Sequence, residues 1–142
     1  EVPEGVSVIA AGTPGLDLSP YLADLEALVL VDTVKSEGMP GELRLYRKEE
    51  ILKNPPQPRL SPHDPGLKES LLSLEFAGRA PREVLLVGVI PGEVSPGVRL
   101  SAEVRAAVPR ACTAVEAELE RLGFGPRRLP EPGEADLWWE RG

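Results

Sequence analysis

Two apolar runs along this chain are continuous rather than alternating, Ala27-Leu28-Val29-Leu30-Val31 and Val84-Leu85-Leu86-Val87-Gly88-Val89-Ile90. Strands covered on both faces have this pattern, as in a parallel sheet flanked by helices. Asp32 is expected to end the first of them. Val6 to Ala11 reads as a shorter strand, stopped by the turn signal Gly12-Thr13-Pro14-Gly15. Leu43-Arg44-Leu45-Tyr46 alternates, as a half-buried or edge strand does. Helical spacing appears elsewhere: Leu67, Leu71 and Leu74 follow a start at Asp64-Pro65-Gly66, with Gly78 as the stop. Val104, Val108, Ala111, Val115, Leu119 and Leu122 place a core stripe on a long helix over 102–122, capped by Ser101. Pro109 inside it removes one backbone hydrogen bond and should kink it. Ser19-Pro20 opens a shorter helix, whose buried side is Leu22 and Leu25.

Polar and glycine- or proline-rich intervals separate these runs. Residues 35–41 form a connection, 91–100 a loop, and 53–62, with Pro55, Pro56, Pro58 and Pro62, an extended surface loop. Residues 125–142 read as a tail, in which Leu137-Trp138-Trp139 is expected to dock on the body formed by 1–124. Buried strands interleaved with helices mean a layered α/β domain with a largely parallel sheet. Ligands in such sheets sit beyond the carboxyl ends of the strands, which draws attention to Asp32 and to the Gly12–Gly15 turn.

Composition narrows the partners. The net charge of −7 opposes binding to a nucleic-acid backbone or an anionic membrane. No apolar run approaches the ~20 residues that span a bilayer. Cys112 is the only cysteine, so no intrachain disulfide can form, and its place in the long helix suggests a packed, inert thiol. The first residues show no signal peptide, and a cytoplasmic protein is the expectation.

Two residues carry candidate chemistry. His63, the only histidine, lies in Ser61-Pro62-His63-Asp64-Pro65-Gly66, just before a helix start. The positive end of the helix disfavours the imidazolium, and neutral imidazole is the metal-binding form. A loop histidine that merely hydrogen-bonds the backbone fits the same residues. Asp32 follows five apolar residues, where an isolated carboxylate is costly; either a cation or an Asx-type turn would satisfy it. One aspartate and one histidine make an incomplete site unless a substrate supplies further ligands.

Several motifs occur together in order. Gly12-Thr13-Pro14-Gly15-Leu16-Asp17-Leu18 resembles the G-T-x-G-[LM]-[DE]-L segment of hydrogenase maturation endopeptidases. Leu28 to Val34 followed by Pro40-Gly41 resembles that family's aspartate-bearing strand and loop. Ser61-Pro62-His63-Asp64-Pro65-Gly66-Leu67 is similar to its S-P-H-x-x-G-L motif, and Leu86-Val87-Gly88-Val89-Ile90-Pro91 to its L-V-G-V-x-P strand end. The resemblance implies a three-layer α/β/α fold with a twisted, mostly parallel sheet. It also implies cleavage of a C-terminal extension from a nickel-loaded hydrogenase large-subunit precursor, with nickel presented by the substrate. In the family an acidic residue near the N-terminus, a strand aspartate and the S-P-H histidine contact the metal. Asp32 and His63 match the last two, while Gly12, Thr13 and Asp64 fall where the substrate would pass. Cadmium or zinc are the expected surrogates for nickel.

The chain departs from the family in two respects. The family's first strand, its Gly-Asn turn, its first acidic ligand and the following helix have no counterpart before Glu1, and Ala10 stands where many relatives have an aspartate. A different reading follows: a non-catalytic metal- or peptide-binding α/β module that kept the fold but lost the third ligand. A nucleotide-binding domain fits less well, since no phosphate-cradling glycine motif follows a strand.

Overall fold

The computed structural model describes residues 2–9, 19–53, 57–58, 67–91 and 102–130. In chain order the elements are α1 (Ser19–Leu22), β1 (Ala27–Lys35), β2 (Leu43–Arg47), α2 (Lys48–Lys53), β3 (Gln57–Pro58), α3 (Leu67–Phe76), β4 (Glu83–Val89) and α4 (Ala102–Arg121). They build a four-stranded sheet of order β2-β4-β1-β3. Its longest ladder is parallel, β1 on β4 with Ala27 opposite Glu83 and Thr33 opposite Val89. Antiparallel β2 and the two-residue β3 flank that pair and make the sheet mixed.

Side-chain alternation along β4 divides the core. Val84 and Leu86 join Leu22, Ile51, Leu67, Leu71, Leu74 and Val34 in a cluster under α1, α2 and α3. Leu85, Val87 and Val89 face the other way, onto Ala107 and Ala111 of α4. Helices on both faces give the expected three layers, and they explain why neither central strand alternates in sequence.

Several local expectations need correction. Asp32 does not end its strand: β1 continues through Thr33 and Val34 to Lys35, carried by two β-branched residues. Residues 6–9 form no strand, and Val8 and Ile9 are exposed; without a ladder partner an apolar run has nothing to fix it as one. Leu25 is exposed, because α1 ends after one turn at Leu22. Prolines do not bar all pairing at 53–62, since Pro58 sits opposite Val34 at the sheet edge, where a missing donor is tolerated. Leu67, Leu71 and Leu74 are buried as expected, and Gly78 follows α3 with φ +71°, the left-handed stop that glycine favours.

The predicted span of α4 holds, with Pro109 inside it, but its stripe is only partly core. Val104 and Ala111 are buried, whereas Val108 is exposed and so is Cys112, contrary to the packed thiol expected. Both line an apolar groove of about 680 Å³ between α4, residues 2–8 and the Val31–Thr33 stretch of β1. Pro126, Arg127 and Arg128 also line it, so the start of the tail returns along α4. The Leu137–Trp139 cluster lies outside the described residues.

Candidate functional site

Asp32 lies one rung from the carboxyl end of the parallel β1–β4 ladder, opposite Gly88. That is where a parallel sheet presents residues to ligands. Its carboxylate accepts a hydrogen bond from the backbone N–H of Thr33, N to Oδ1 2.7 Å. Burial raises its pKa above the ordinary carboxylate value, and the Thr33 bond offsets this only in part. Among the described residues no cationic side chain pairs with it. A half-buried carboxylate with one short neutral donor favours an added cation, because a positive partner would lower the cost of its charge. A carboxylate oxygen is one donor that such a cation could use, and by itself it does not select the metal.

The ground beside Asp32 is braced. On the far side of Gly88 in the same row stands Arg44 of β2, whose guanidinium donates to the carbonyls of Leu43 and Glu37 and pairs with Glu42. The Pro40-Gly41 loop closes onto the exit of β4: Gly41 donates to the Ile90 carbonyl at 2.7 Å and Ile90 to the Glu42 carbonyl at 2.9 Å. Arg110 of α4 donates to the Gly41 carbonyl at 2.6 Å. Gly41 has φ +89°, and a Cβ there would stand 2.9 Å from the Glu103 carbonyl oxygen, so the loop needs glycine on both counts.

The other candidates, Gly12, Thr13, His63 and Asp64, lie outside the described residues. What is described are the anchors on either side of His63. Five residues before it, Pro58 pairs with Val34 of β1. Four residues after it, Leu67 is buried in the cluster that contains Val34. Val34 is two residues from Asp32 on the same face of the sheet. Among the described residues, no three His, Cys, Asp or Glu side chains gather as a metal site. Among the same residues, no helix is long and apolar enough to cross a membrane.

The sequence, which shows Gly88 as part of an apolar run and of a strand-end motif, gives no role for it, nor for Glu118. The latter is buried in α4 and forms ion pairs with Arg47 of β2 and Arg121 of its own helix. A helical stripe counted by hydrophobicity passes over a carboxylate whose partner is 71 residues away.

Comparison with known proteins gives consistent results. A family model described as hydrogenase maturation protease matches residues 1–118. The chain is 32% identical over 126 residues to the hydrogenase 2 maturation protease of Escherichia coli K12, covering 86% of this chain and 74% of that protein. It is 34% identical to the hydrogenase expression/formation protein HoxM of Azotobacter vinelandii, covering 89% and 69%. Against HupM of Azotobacter chroococcum the identity is 33%, and the chain spans 63% of that relative's length. Among solved structures, the hydrogenase maturating endopeptidase HybD of E. coli superposes with a TM-score of 0.73 at 32% identity, over 87% of this chain and 76% of that one.

Proposed function

The chain belongs to the hydrogenase maturation protease family, and from that premise we propose that it removes the C-terminal extension of a nickel-loaded hydrogenase large-subunit precursor. In this reading nickel arrives as part of the substrate. Asp32 offers it a carboxylate and His63 an imidazole, and the precursor's own ligands complete the coordination. Two side chains then suffice on the enzyme side, which removes the objection that they make an incomplete site.

One observation carries the reading: of the described residues flanking His63, Pro58 pairs with Val34, two residues from Asp32, and Leu67 is buried in the cluster that contains Val34. Four residues of chain reach at most about 14 Å and five about 18 Å, so a position for the imidazole within reach of the Asp32 carboxylate is compatible with both anchors. The absence of a charged partner for Asp32 among the described residues supports the same reading, since a carboxylate awaiting a cation should have none of its own. When bound, nickel can polarise an adjacent carbonyl as a Lewis acid. Asp32 and His63 serve to hold it, and with it the precursor, in register for cleavage.

The test is incubation with purified large-subunit precursor, with and without nickel, followed by mass spectrometry. A shortened large subunit should appear only with the nickel-loaded precursor, and neither Asp32→Asn nor His63→Ala should produce it. A chain that binds loaded precursor without shortening it would instead identify a non-catalytic binding module. Equal cleavage of nickel-free precursor would remove the nickel-recognition reading.

A further inference from the structure

Gly88 and Asp32 occupy one rung of the parallel ladder, and their side-chain positions share the face covered by α1 to α3. Gly88 has an extended backbone that any residue could adopt, so conformational freedom does not explain glycine at this position. Space does. A Cβ built at Gly88 would stand 2.5 Å and 2.7 Å from the two γ-methyls of Val34 and 3.2 Å from its Cβ. Val34 therefore leans over β4 into the place where a side chain at 88 would be.

That arrangement bears directly on Asp32. Val34 is fully buried, closed in by a cluster that includes Leu22, Ile51 and Leu71. A close-packed interior does not let it retreat into the helical layer. A methyl at position 88 would therefore act on β1 itself. It would either push the strand off β4 at the 32–88 rung or drive Val34 along its strand toward the neighbouring same-face side chain, Asp32. Both moves disturb the carboxylate and its bond from the Thr33 amide. Neighbouring strands lie only about 5 Å apart, so position 88 is also the cross-strand neighbour of Asp32.

We infer that Gly88 is a positioning residue for Asp32: its missing side chain leaves Val34 its place over β4, so that β1 is not displaced and the aspartate carboxylate stays on the Thr33 amide, in the pose that meets the metal. The metal part of this statement rests on the function proposed above. The geometric part does not.

The experiment uses the full chain and four proteins: wild type, Gly88→Ala, Val34→Ala, and the double variant. The first readout is the Thr33 amide resonance in ¹⁵N-resolved spectra without metal, with Asp32→Ala setting the shift for complete loss of the bond. Gly88→Ala should move this resonance at least half of that distance, and Val34→Ala should leave it in place. The double variant should return it most of the way, because only the 3.2 Å contact remains to be relieved. The second readout is cadmium affinity by calorimetry. It should fall about ten- to a hundredfold in Gly88→Ala, as when a group supporting a ligand is lost, and recover in the double variant. A merely structural glycine would lower the unfolding temperature without moving either readout. A folded Gly88→Ala with wild-type Thr33 resonance and affinity overturns the inference. So does a double variant that folds yet keeps Thr33 displaced. Should Gly88→Ala alone not fold, the double variant decides it: a small residual Thr33 displacement relative to Val34→Ala, from the remaining 3.2 Å contact, upholds the inference, and an identical resonance overturns it. A wild type that binds no cadmium would instead sink the metal reading, with the Thr33 result standing on its own.

Discussion

Thr33 donates its backbone N–H to the carboxylate of the residue before it, Asp32, at 2.7 Å, in the interior of a strand. This bond lets an aspartate sit where the sequence pattern predicts an end. It does not fully compensate the carboxylate for burial, which raises its pKa. Asp32→Asn keeps the size and an acceptor for Thr33 while removing the charge. The expected outcome is a metal-free protein more stable by about 0.5–2 kcal/mol, the gain typical of relieving a functional site, together with loss of cadmium binding. Denaturant unfolding and calorimetry on the same samples check both halves.

The sign of the pH dependence follows from the same residue. Its folded pKa lies above the unfolded one, so the native state holds the proton longer than the unfolded chain does. The contribution of Asp32 to stability is therefore fully present below the unfolded pKa of about 3.9 and is lost as pH rises through the folded value. Unfolding free energies of wild type minus Asp32→Asn, measured without metal from about pH 3 to pH 7, should fall with rising pH and then level off. Saturating cadmium should reverse the trend, because it favours the ionised form.

The buried Glu118 tests a different part of the structure. Its side chain is 2% exposed, while those of its partners Arg47 and Arg121 are 43% and 47% exposed. If the carboxylate is replaced, both cations can be rehydrated; if Arg47 is removed, the carboxylate stays buried with one partner fewer. Glu118→Met should thus change stability by less than about 1 kcal/mol, whereas Arg47→Ala should cost about 1–3 kcal/mol. Chemical denaturation of the two variants orders them.

Pro109 lies inside α4 at an exposed position, and Thr113 donates to its carbonyl at 3.0 Å. An interior proline disfavours a helix by about 3 kcal/mol, part of which the surrounding packing of the native helix offsets. Pro109→Ala should stabilise the protein by about 1 kcal/mol, read as a higher unfolding midpoint.

What the sequence revealed and what it hid have physical causes. The strands at 27–31 and 84–89 and the α3 leucines were legible because continuous or three-to-four spacing reports burial directly. The α4 stripe was legible only in part: Val108 keeps the spacing but is exposed on a groove, and periodicity cannot say whether an element covers a face. Helix α2 is six residues with one buried side chain, Ile51, too short for a period to show. Among site residues, Asp32 stood out because charge within an apolar run is costly, and His63 because it is unique. Gly88 did not, since its reason is the Val34 side chain from a strand more than fifty positions away.

The most direct test of the central claim is an anomalous-scattering crystal structure of the full chain with cadmium bound. The account predicts one ion coordinated by both the Asp32 carboxylate and the His63 imidazole, whose ligating atoms then lie at most about 5 Å apart, twice a metal–ligand bond. An ordered His63 directed away from Asp32, with cadmium bound elsewhere or not at all, would contradict it.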